Sequence, residues 1–385
     1  MIKEHAVRRR LLPLMAVGAI LGTFLLSTAN AQSWPLWESY AKYAVDDQGR
    51  VIDRSAQDHT TSEGQAYAMF FALVAGDRIR FDKVLSWTEI NLAGGDLTQR
   101  LPGWSWGRGP DGSWKLLDPN SASDADLWIA YSLLEAGRLW HEPRYEKLGT
   151  IIAIRVAQLE VAYVPGLGTT LLPGSGGFHP DESTWLLNPS YMPPFVLVRL
   201  SSAMPRGPWR GVFDSLLPIL AEGSGNGFAM DWVTAGTGVR PSSAPGKVDA
   251  LPVGSYDAIR VYLWLGISDS STPGIRQLLA AVPGMAAYLK GHNLPPESVD
   301  ANGRTISLNA PPGFSAAVVP YLRAIGMRGQ AKAQLDRVDA TKNPAMGLYG
   351  RNPVYYDQNL ALFSIGWLEQ RYRFDRDGRL NVKWH

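Results

Sequence analysis

The chain has 385 residues, no cysteine, and 37 lysines and arginines against 35 acidic residues. The net charge of +2 excludes a strong electrostatic attraction to nucleic acid or to an anionic membrane, and the lack of cysteine excludes disulfides, thiolate metal sites and a cysteine nucleophile. The apolar fraction of 45% allows a sizeable core, and tryptophan and tyrosine are plentiful at 14 and 15 residues.

The N-terminus has the three zones of a secretory signal peptide. Residues 8–10 are arginines, residues 11–26 are mostly apolar, and residues 29–31 have the small-x-small pattern of a cleavage site. We predict that residues 1–31 are removed and that the protein is exported to the periplasm or secreted. The alternative is an uncleaved membrane anchor, which the proline and glycine within the apolar run disfavour. Without the leader, the net charge is about −1.

Helical periodicity predominates in the rest of the chain. The helical segments cover about 10–20 residues each, which is normal for globular proteins. We predict a largely helical single domain over residues 32–385. The predicted helices cover residues 65–76, 126–137, 145–164, 209–221, 257–266, 273–289, 316–325 and 360–372, and two short strands cover residues 169–172 and 305–308.

Four long stretches rich in glycine, proline and serine separate the helices. They are too long for simple helix connections and too rich in aromatic residues for linkers. In a helical protein such loops usually build the functional face. They cover residues 102–123, 165–194, 222–254 and 291–315.

A carboxylate stands at the start of four helical segments, at Glu63, Asp124, Asp257 and Asp357. The first two of these segments also align with each other as a weak repeat. Repeating helical units predict a solenoid or a toroid of helix pairs. If the equivalent helices point in the same direction, the four carboxylates meet at one end.

These acids have a simpler interpretation as helix caps. Acidic side chains are favoured at helix N-termini by capping and by the helix dipole. Thr60 with Glu63, and Ser121 with Asp124, have the spacing of a capping box. Taken singly, each acid fits a cap better than a catalyst. Their recurrence beside aromatic-rich loops favours a catalytic group instead.

Carboxylates are the main reactive groups in the sequence. The six histidines lack the spacing of a metal site, and the sequence has no nucleophile elbow and no phosphate-binding loop. We therefore expect no metal ion and no cofactor. Paired carboxylates perform glycoside hydrolysis, in which one protonates the leaving oxygen and the other activates water or attacks the sugar directly.

The tryptophans divide into two groups. Aromatic rings can stack on the apolar faces of sugars, and they can equally pack in a core. Trp128, Trp264 and Trp367 lie within helical segments, and we predict that they pack in the core. The loop tryptophans are the better candidates for sugar binding: Trp104, Trp106, Trp114 and Trp185.

Five segments of the chain resemble the glycoside hydrolases of family 8. Residues 122–136, with the sequence ASDADLWIAYSLLEA, resemble the family signature. Residues 61–67 resemble the segment that carries the general acid of the family, and residues 256–260 resemble the segment that carries its general base. Residues 188–191 and 355–357 also match, and the five segments occur in the order found in the family.

The resemblance implies an all-α (α/α)6 barrel, a toroid of six inner and six outer helices, with a cleft at the end where the inner helices begin. It also implies endo-acting hydrolysis of β-1,4-glucosidic bonds in cellulose or soluble β-glucan, with inversion of configuration. By position, Glu63 would be the general acid, Asp257 the general base, and Asp124 the residue that binds and distorts the sugar at the cleaved bond. Tyr191 would help to hold the attacking water. The other residues implied to bind substrate are Trp104, Trp106, Trp185, Arg260, Tyr356 and Asp357.

Physical chemistry adds expectations to these roles. Arg260 follows Asp257 by one helical turn and can keep it ionised by charge pairing. Burial and neighbouring acids should raise the pKa of Glu63, so that it is protonated at working pH. Inversion needs room for a water, so the Glu63 and Asp257 carboxyl groups are expected roughly 6.5–9.5 Å apart. Asp126 cannot share a face with Asp124, because the helix turns about 200° between them.

The compact form of the chain is similar to the members of the family encoded beside bacterial cellulose synthases. This implies a β-1,4-glucan as ligand and the cellulose synthase complex as a candidate partner. Three alternatives remain open: a non-catalytic glucan-binding protein with the same barrel, the same fold acting on xylan, chitosan or mixed-linkage glucan, and a structural partner of the synthase. The presence of all three expected acids argues against the first.

Overall fold

The computed structural model describes residues 33–247 and 250–385, together with Met1. The predicted cleavage site after Ala31 lies outside the described residues, as do the basic and apolar zones of the predicted leader. In the described part of the chain, no helix is long and apolar enough to cross a membrane.

Thirteen α-helices cover a little under half of the described residues, and a short 3-10 helix covers Pro189–Tyr191. The α-helices are α1 (Pro35–Ala44), α2 (Ser62–Ala75), α3 (Arg78–Leu92), α4 (Ser123–Leu139), α5 (Pro143–Leu159), α6 (Pro194–Ala203), α7 (Trp209–Glu222), α8 (Ala258–Ile267), α9 (Ile275–Ala281), α10 (Gly284–Tyr288), α11 (Pro312–Ala324), α12 (Arg328–Ala340) and α13 (Tyr355–Leu368).

Short antiparallel strands form five small sheets in the described residues, four between helices and one after α13, and both predicted strands are among them. The strands are β1 (Thr60–Thr61), β2 (Ser105–Arg108), β3 (Trp114–Asp118), β4 (Val161–Val164), β5 (Gly168–Leu171), β6 (Trp185–Leu187), β7 (Trp232–Ala235), β8 (Arg240–Ser242), β9 (Val253–Gly254), β10 (Ser298–Asp300), β11 (Thr305–Ser307), β12 (Tyr372–Phe374) and β13 (Leu380–Val382).

Six helices, α2, α4, α6, α8, α11 and α13, form an inner ring in which each packs against the next. The ring closes where Phe70 and Phe71 of α2 contact Phe363 of α13, with ring centroids 5.4 and 4.6 Å apart. Outer helices pack on this ring: α1 and α3 on α2, α5 on α4, α7 on α6, α9 on α8 and α12 on α11. The predicted (α/α)6 barrel is confirmed.

Aromatic side chains fill the axis of the barrel. Phe70, Trp128, Trp264 and Phe363 come from four different inner helices, and the centroids of successive rings lie 4.9–5.4 Å apart. The inner helices are apolar on nearly every face because protein surrounds them. The prediction that Trp128 and Trp264 pack in the core is confirmed. Trp367 is only partly buried and packs at the edge of the core.

Three of the predicted helices end early or are divided in the structure. The segment 145–164 is helical only to Leu159, and its last residues form strand β4 instead. The segment 273–289 forms two helices, because Pro283 has no N–H to donate and interrupts the helical hydrogen bonds. The segment 360–372 overlaps a helix that begins at Tyr355 and ends at Leu368, so its last four residues lie beyond the helix.

Helices α1, α3, α6 and α12 are not predicted by the periodicity. Three of them are outer helices. Helix α12 buries only Ala331, Gln334 and Val338 and so has little apolar periodicity, whereas α1 buries five of its ten residues at helical spacing, a signal that the prediction overlooked. The inner helix α6 begins with Pro194 and a continuous apolar run, which has no helical period.

One small sheet holds the start of α2 in place. Strand β1 leads directly into α2 and pairs with β2, with Thr60 opposite Trp106 and Thr61 opposite Ser105. The backbone N–H of Ser62 also donates to the carbonyl oxygen of residue 104 over 3.0 Å. The loop tryptophans and the first turn of α2 are therefore held beside each other.

Candidate active site

Glu63 is the second residue of α2, and its carboxyl group does not cap the helix. The cap is Thr61, whose side-chain oxygen accepts a hydrogen bond from the Gly64 N–H over 3.2 Å. Thr60 donates instead to the Val51 carbonyl oxygen over 2.7 Å. The predicted capping box of Thr60 and Glu63 is wrong, because the helix starts one residue later than that box requires. The Glu63 carboxyl group is left available for other chemistry.

The surroundings of Glu63 favour its protonated form. Burial, and after it the negative charge of Asp124, raises the pKa of Glu63 to about 8. The indole Nε1 of Trp104 donates to Glu63 Oε1 over 3.1 Å and acts in the opposite direction, because it stabilises the carboxylate. The carboxyl group is therefore protonated below about pH 8, as expected, and can serve as a proton donor.

Asp124 is the second residue of α4 and is almost fully buried, with 1% of its surface exposed. Its Oδ1 accepts from the Ala125 N–H over 2.8 Å, and its Oδ2 accepts from Arg260 Nη1 over 2.8 Å. The predicted capping box with Ser121 is wrong, because the N-cap position of α4 is Ala122 and Ser121 donates to Glu160. Asp124 is thus held by the cation of another inner helix.

Asp257 directly precedes α8, and 30% of its side chain is exposed. Its Oδ1 accepts from Arg260 Nη2 over 2.7 Å, and its Oδ2 accepts from Asn188 Nδ2 over 3.0 Å. The predicted pairing with Arg260 one turn later is confirmed. The two donors fix the orientation of the carboxylate, while the exposed part remains accessible to water.

Arg260 joins the acids of α4 and α8. Its guanidinium is 5% exposed and binds Asp124 and Asp257, and it also donates to Tyr67 Oη over 3.1 Å and to Ser190 Oγ over 3.0 Å. Two carboxylates from separate helices are therefore held at one cation. The prediction that the acids at helix starts meet at one end is confirmed for Asp124 and Asp257, and the charge of Asp124 also acts on Glu63.

Tyr191 and Tyr356 both lie near the Arg260 guanidinium. The Tyr191 ring centroid is 5.4 Å from the guanidinium carbon, and Tyr356 donates its hydroxyl hydrogen to the Tyr256 carbonyl oxygen. Burial raises the pKa of both tyrosines well above the ordinary value, so their hydroxyl groups stay protonated. Both are partly exposed and can contribute to a binding cleft.

Aromatic rings line the approach to the acids. Trp104 is 42% exposed beside Glu63. Trp106 and Trp114 stack with centroids 5.1 Å apart, and the Arg50 guanidinium carbon lies 4.4 Å from both centroids. Trp104 and Trp114 keep over two-fifths of their surface exposed, at 42% and 44%, whereas Trp106 is partly buried against Trp87 and Trp114. Sugar binding by these rings stays a prediction.

A cavity of about 370 Å³ adjoins Trp104 and Tyr191, and two further aromatic residues line it. Phe178 and Trp232 are nearly parallel, with centroids 6.1 Å apart. Both were missing from the predicted site. The signal that selected the loop tryptophans applied equally to Trp232, which lies in the long stretch 222–254.

Two of the predicted substrate-binding residues, Trp185 and Asp357, are largely buried. Trp185 is 8% exposed and stacks on His179 with centroids 4.3 Å apart. Asp357 is also buried; its carboxyl group bonds to the Gly313 N–H at the start of α11, and burial raises its pKa to about 6. Both side chains are thus largely enclosed by protein, and their role in substrate binding stays a prediction.

Asp231 is a site residue that the sequence did not reveal. Its Oδ1 accepts from the Ser255 N–H over 2.7 Å and from the Ala258 N–H over 2.8 Å, on either side of Asp257. Burial and the charge of Asp257 raise the pKa of Asp231 to about 7. It lies in a loop far from Asp257 in sequence, so no local pattern connects the two. Among the described residues, no group of His, Asp and Glu side chains is arranged to hold a metal ion.

Known proteins share both the sequence and the fold of this chain. The family model for glycosyl hydrolases family 8 matches residues 12–370. An endoglucanase from Xanthomonas axonopodis pv. citri (strain 306) is 45% identical over 383 residues, which cover 98% of this chain and 97% of that protein. An endoglucanase from Escherichia coli (strain K12) is 42% identical over 362 residues, or 93% of each.

The crystal structure of an endo-1,4-D-glucanase from Vibrio fischeri ES114 is also similar. It aligns with a TM-score of 0.83 at 40% sequence identity. The alignment covers 91% of this chain and 99% of the Vibrio chain, so the likeness extends over both almost completely.

Proposed function

This chain belongs to glycosyl hydrolase family 8 and is an endo-1,4-β-glucanase, and on that basis we propose that it works by inversion, with Glu63 as general acid and Asp257 as general base. The observation that carries the proposal is the contrast between the two carboxyl groups. Glu63 is held protonated by burial and by Asp124, whereas Asp257 is paired with Arg260 and partly open to water. An acid and a base are thereby distinguished by their environments.

The proposed reaction is a single displacement. Glu63 gives its proton to the departing glycosidic oxygen, while Asp257 takes a proton from a water on the opposite face of the sugar. Asn188 and Arg260 keep the base in one orientation through their hydrogen bonds. Asp124 already accepts two hydrogen bonds and retains lone pairs for a hydroxyl of the sugar at the cleaved bond.

We extend the proposal to substrate and location. The substrate is an internal bond of cellulose or of a soluble β-glucan, stacked on Trp104, Trp106 and the neighbouring rings. The enzyme acts in the periplasm or outside the cell after removal of residues 1–31, in connection with cellulose production. The basis for this part is the leader-like N-terminus and the compact form of the chain. The link to cellulose production is contradicted if deleting the gene leaves cellulose yield and morphology unchanged.

The test of the mechanism is the anomeric form of the product. The wild-type enzyme is incubated with cellohexaose, xylohexaose and a mixed-linkage glucan, and proton NMR follows the first minutes of reaction. We expect the α-anomer from the β-1,4-glucan, since one displacement inverts the configuration. Initial formation of the β-anomer would refute inversion. Faster cleavage of xylohexaose or of the mixed-linkage glucan would refute the proposed substrate.

Trp104→Phe is expected to move the alkaline limb of the pH profile upward. In the wild type, kcat/KM should fall as Glu63 loses its proton at about pH 8. The indole N–H stabilises the Glu63 carboxylate, so its removal raises the pKa of Glu63 and extends activity to higher pH. The profile is measured on a soluble β-glucan from pH 5 to 10. Trp114 makes no hydrogen bond to Glu63 among the described residues, so Trp114→Phe should leave the alkaline limb at its wild-type position.

A further inference from the structure

A second pair of carboxyl groups lies in the interior beside the candidate site. Asp126, two residues after Asp124 on α4, is completely buried, and neither of its oxygens has an N–H or hydroxyl donor among the described residues. A side-chain hydrogen bond joins it to Glu160, which follows α5 and is also completely buried. The other Glu160 oxygen accepts from Ser121 Oγ.

Such a bond requires a proton on one of the two carboxyl groups, because two carboxylates have only acceptors. The pair also faces other acids. Asp124 and Glu63 raise the pKa of Asp126, and Asp124 raises that of Glu160. Ionising both members at once would place two adjacent negative charges in a buried environment that is already acidic.

The pair also connects three segments of the chain. Ser121, which binds Glu160, precedes the first turn of α4 and accepts from the Ser175 N–H over 3.1 Å. The Glu160 carbonyl oxygen accepts from the Leu172 N–H over 2.7 Å. The start of α4, the end of α5 and the loop after β5 therefore meet at these two carboxyl groups.

We propose that Asp126 and Glu160 share one proton and act as a positioning pair, which holds the first turn of α4 with Asp124 and whose single negative charge helps to keep Glu63 protonated. The electrostatic part rests on the proposed role of Glu63, whereas the sharing of the proton does not. Neither residue touches the substrate, so both act through Asp124 and Glu63.

The first test is the pH dependence of unfolding. In the unfolded chain both acids release their protons near pH 4, whereas the folded pair retains one. The free energy of unfolding therefore falls as the pH rises above about 4, and the pair contributes about one proton to this slope. Asp126→Asn and Glu160→Gln each supply an amide N–H in place of the proton. Each should make the slope shallower by about one proton between pH 5 and pH 6.5, measured by urea unfolding.

Asp214→Asn is the matched control, since Asp214 is exposed and pairs with Arg210 at the surface, away from the buried acids. If both pair variants keep the wild-type slope, the shared proton is refuted. If one variant does not fold, the other decides the question.

The second test is the alkaline limb of kcat/KM. Asp126→Asn leaves one negative charge, on Glu160, and should keep the limb within about 0.2 pH unit of the wild type. The double variant, Asp126→Asn with Glu160→Gln, has no charge at the pair and should move the alkaline limb to lower pH by on the order of 0.5 pH unit. An unmoved limb in the double variant would refute the effect on Glu63. The unfolding slope involves no catalysis, so it distinguishes failure of the pair from failure of the proposed role of Glu63.

Discussion

Glu63→Gln is expected to lower kcat on carboxymethylcellulose by about 10²–10⁴-fold, because glutamine keeps the shape of the side chain but has no proton to give to the departing oxygen. Folding should be unaffected, since the amide can still accept from Trp104 Nε1. Initial rates of reducing-end formation are the measurement. Glu222→Gln, an exposed substitution at the end of α7, is the matched control and should retain full activity.

A substrate with a better leaving group distinguishes the role of general acid from that of general base. On a 2,4-dinitrophenyl β-cellotrioside the departing phenolate needs no proton, so Glu63→Gln should recover most of its lost rate. Asp257→Asn should remain impaired on both substrates, because the water must still be activated. Equal losses for Glu63→Gln on the two substrates would contradict its role as general acid. Wild-type activity on carboxymethylcellulose would remove Glu63 from the mechanism altogether.

Arg260→Met is expected to destabilise the protein by about 3–5 kcal/mol and to abolish most of its activity. Methionine replaces much of the volume but not the charge. Asp124, with 1% exposure, then lacks the cation that balances it, and Asp257 loses one of the two donors that orient it. The free energy of unfolding is measured in urea, and kcat is measured at a temperature at which the variant is folded.

Two comparisons give this prediction its controls. Arg210→Met removes an arginine from an exposed pair with Asp214 and should cost less than about 1 kcal/mol. Adding Asp124→Asn to Arg260→Met should restore part of the stability, because one unbalanced buried charge disappears, without restoring activity. A single variant as stable as the wild type would show that the Arg260 pairs do not hold the site together.

The architecture was predictable where apolar periodicity or a known family motif indicates it. The inner helices α2, α4, α8, α11 and α13 are rich in apolar residues, and the periodicity identified at least part of each. The resemblance to family 8 then supplied the closed ring, which periodicity alone left as a solenoid or a toroid. Outer helices such as α12 were missed because solvent covers most of their surface and few apolar residues are needed there.

The loop tryptophans differ in burial, which the sequence did not indicate. Trp104 and Trp185 both lie in glycine- and proline-rich stretches, and nothing in their local sequence distinguishes them. The first is 42% exposed beside Glu63, whereas the second is 8% exposed and stacked on a histidine. Whether a loop ring faces a cleft or the core depends on how that loop folds back on the barrel.

The linear chain was sufficient to indicate a helical enzyme, and to predict its export and its candidate catalytic carboxyl groups at helix starts, because capping, periodicity and motif spacing are properties of neighbouring residues. It could not reveal that Arg260 binds Asp124 as well as Asp257, that Asn188 and Asp231 hold the base and its helix, or that Asp126 meets Glu160. These contacts join residues 24 to 136 positions apart. They exist only because the closed barrel brings helix starts and loops to one end, where a shared environment sets the charge of each acid.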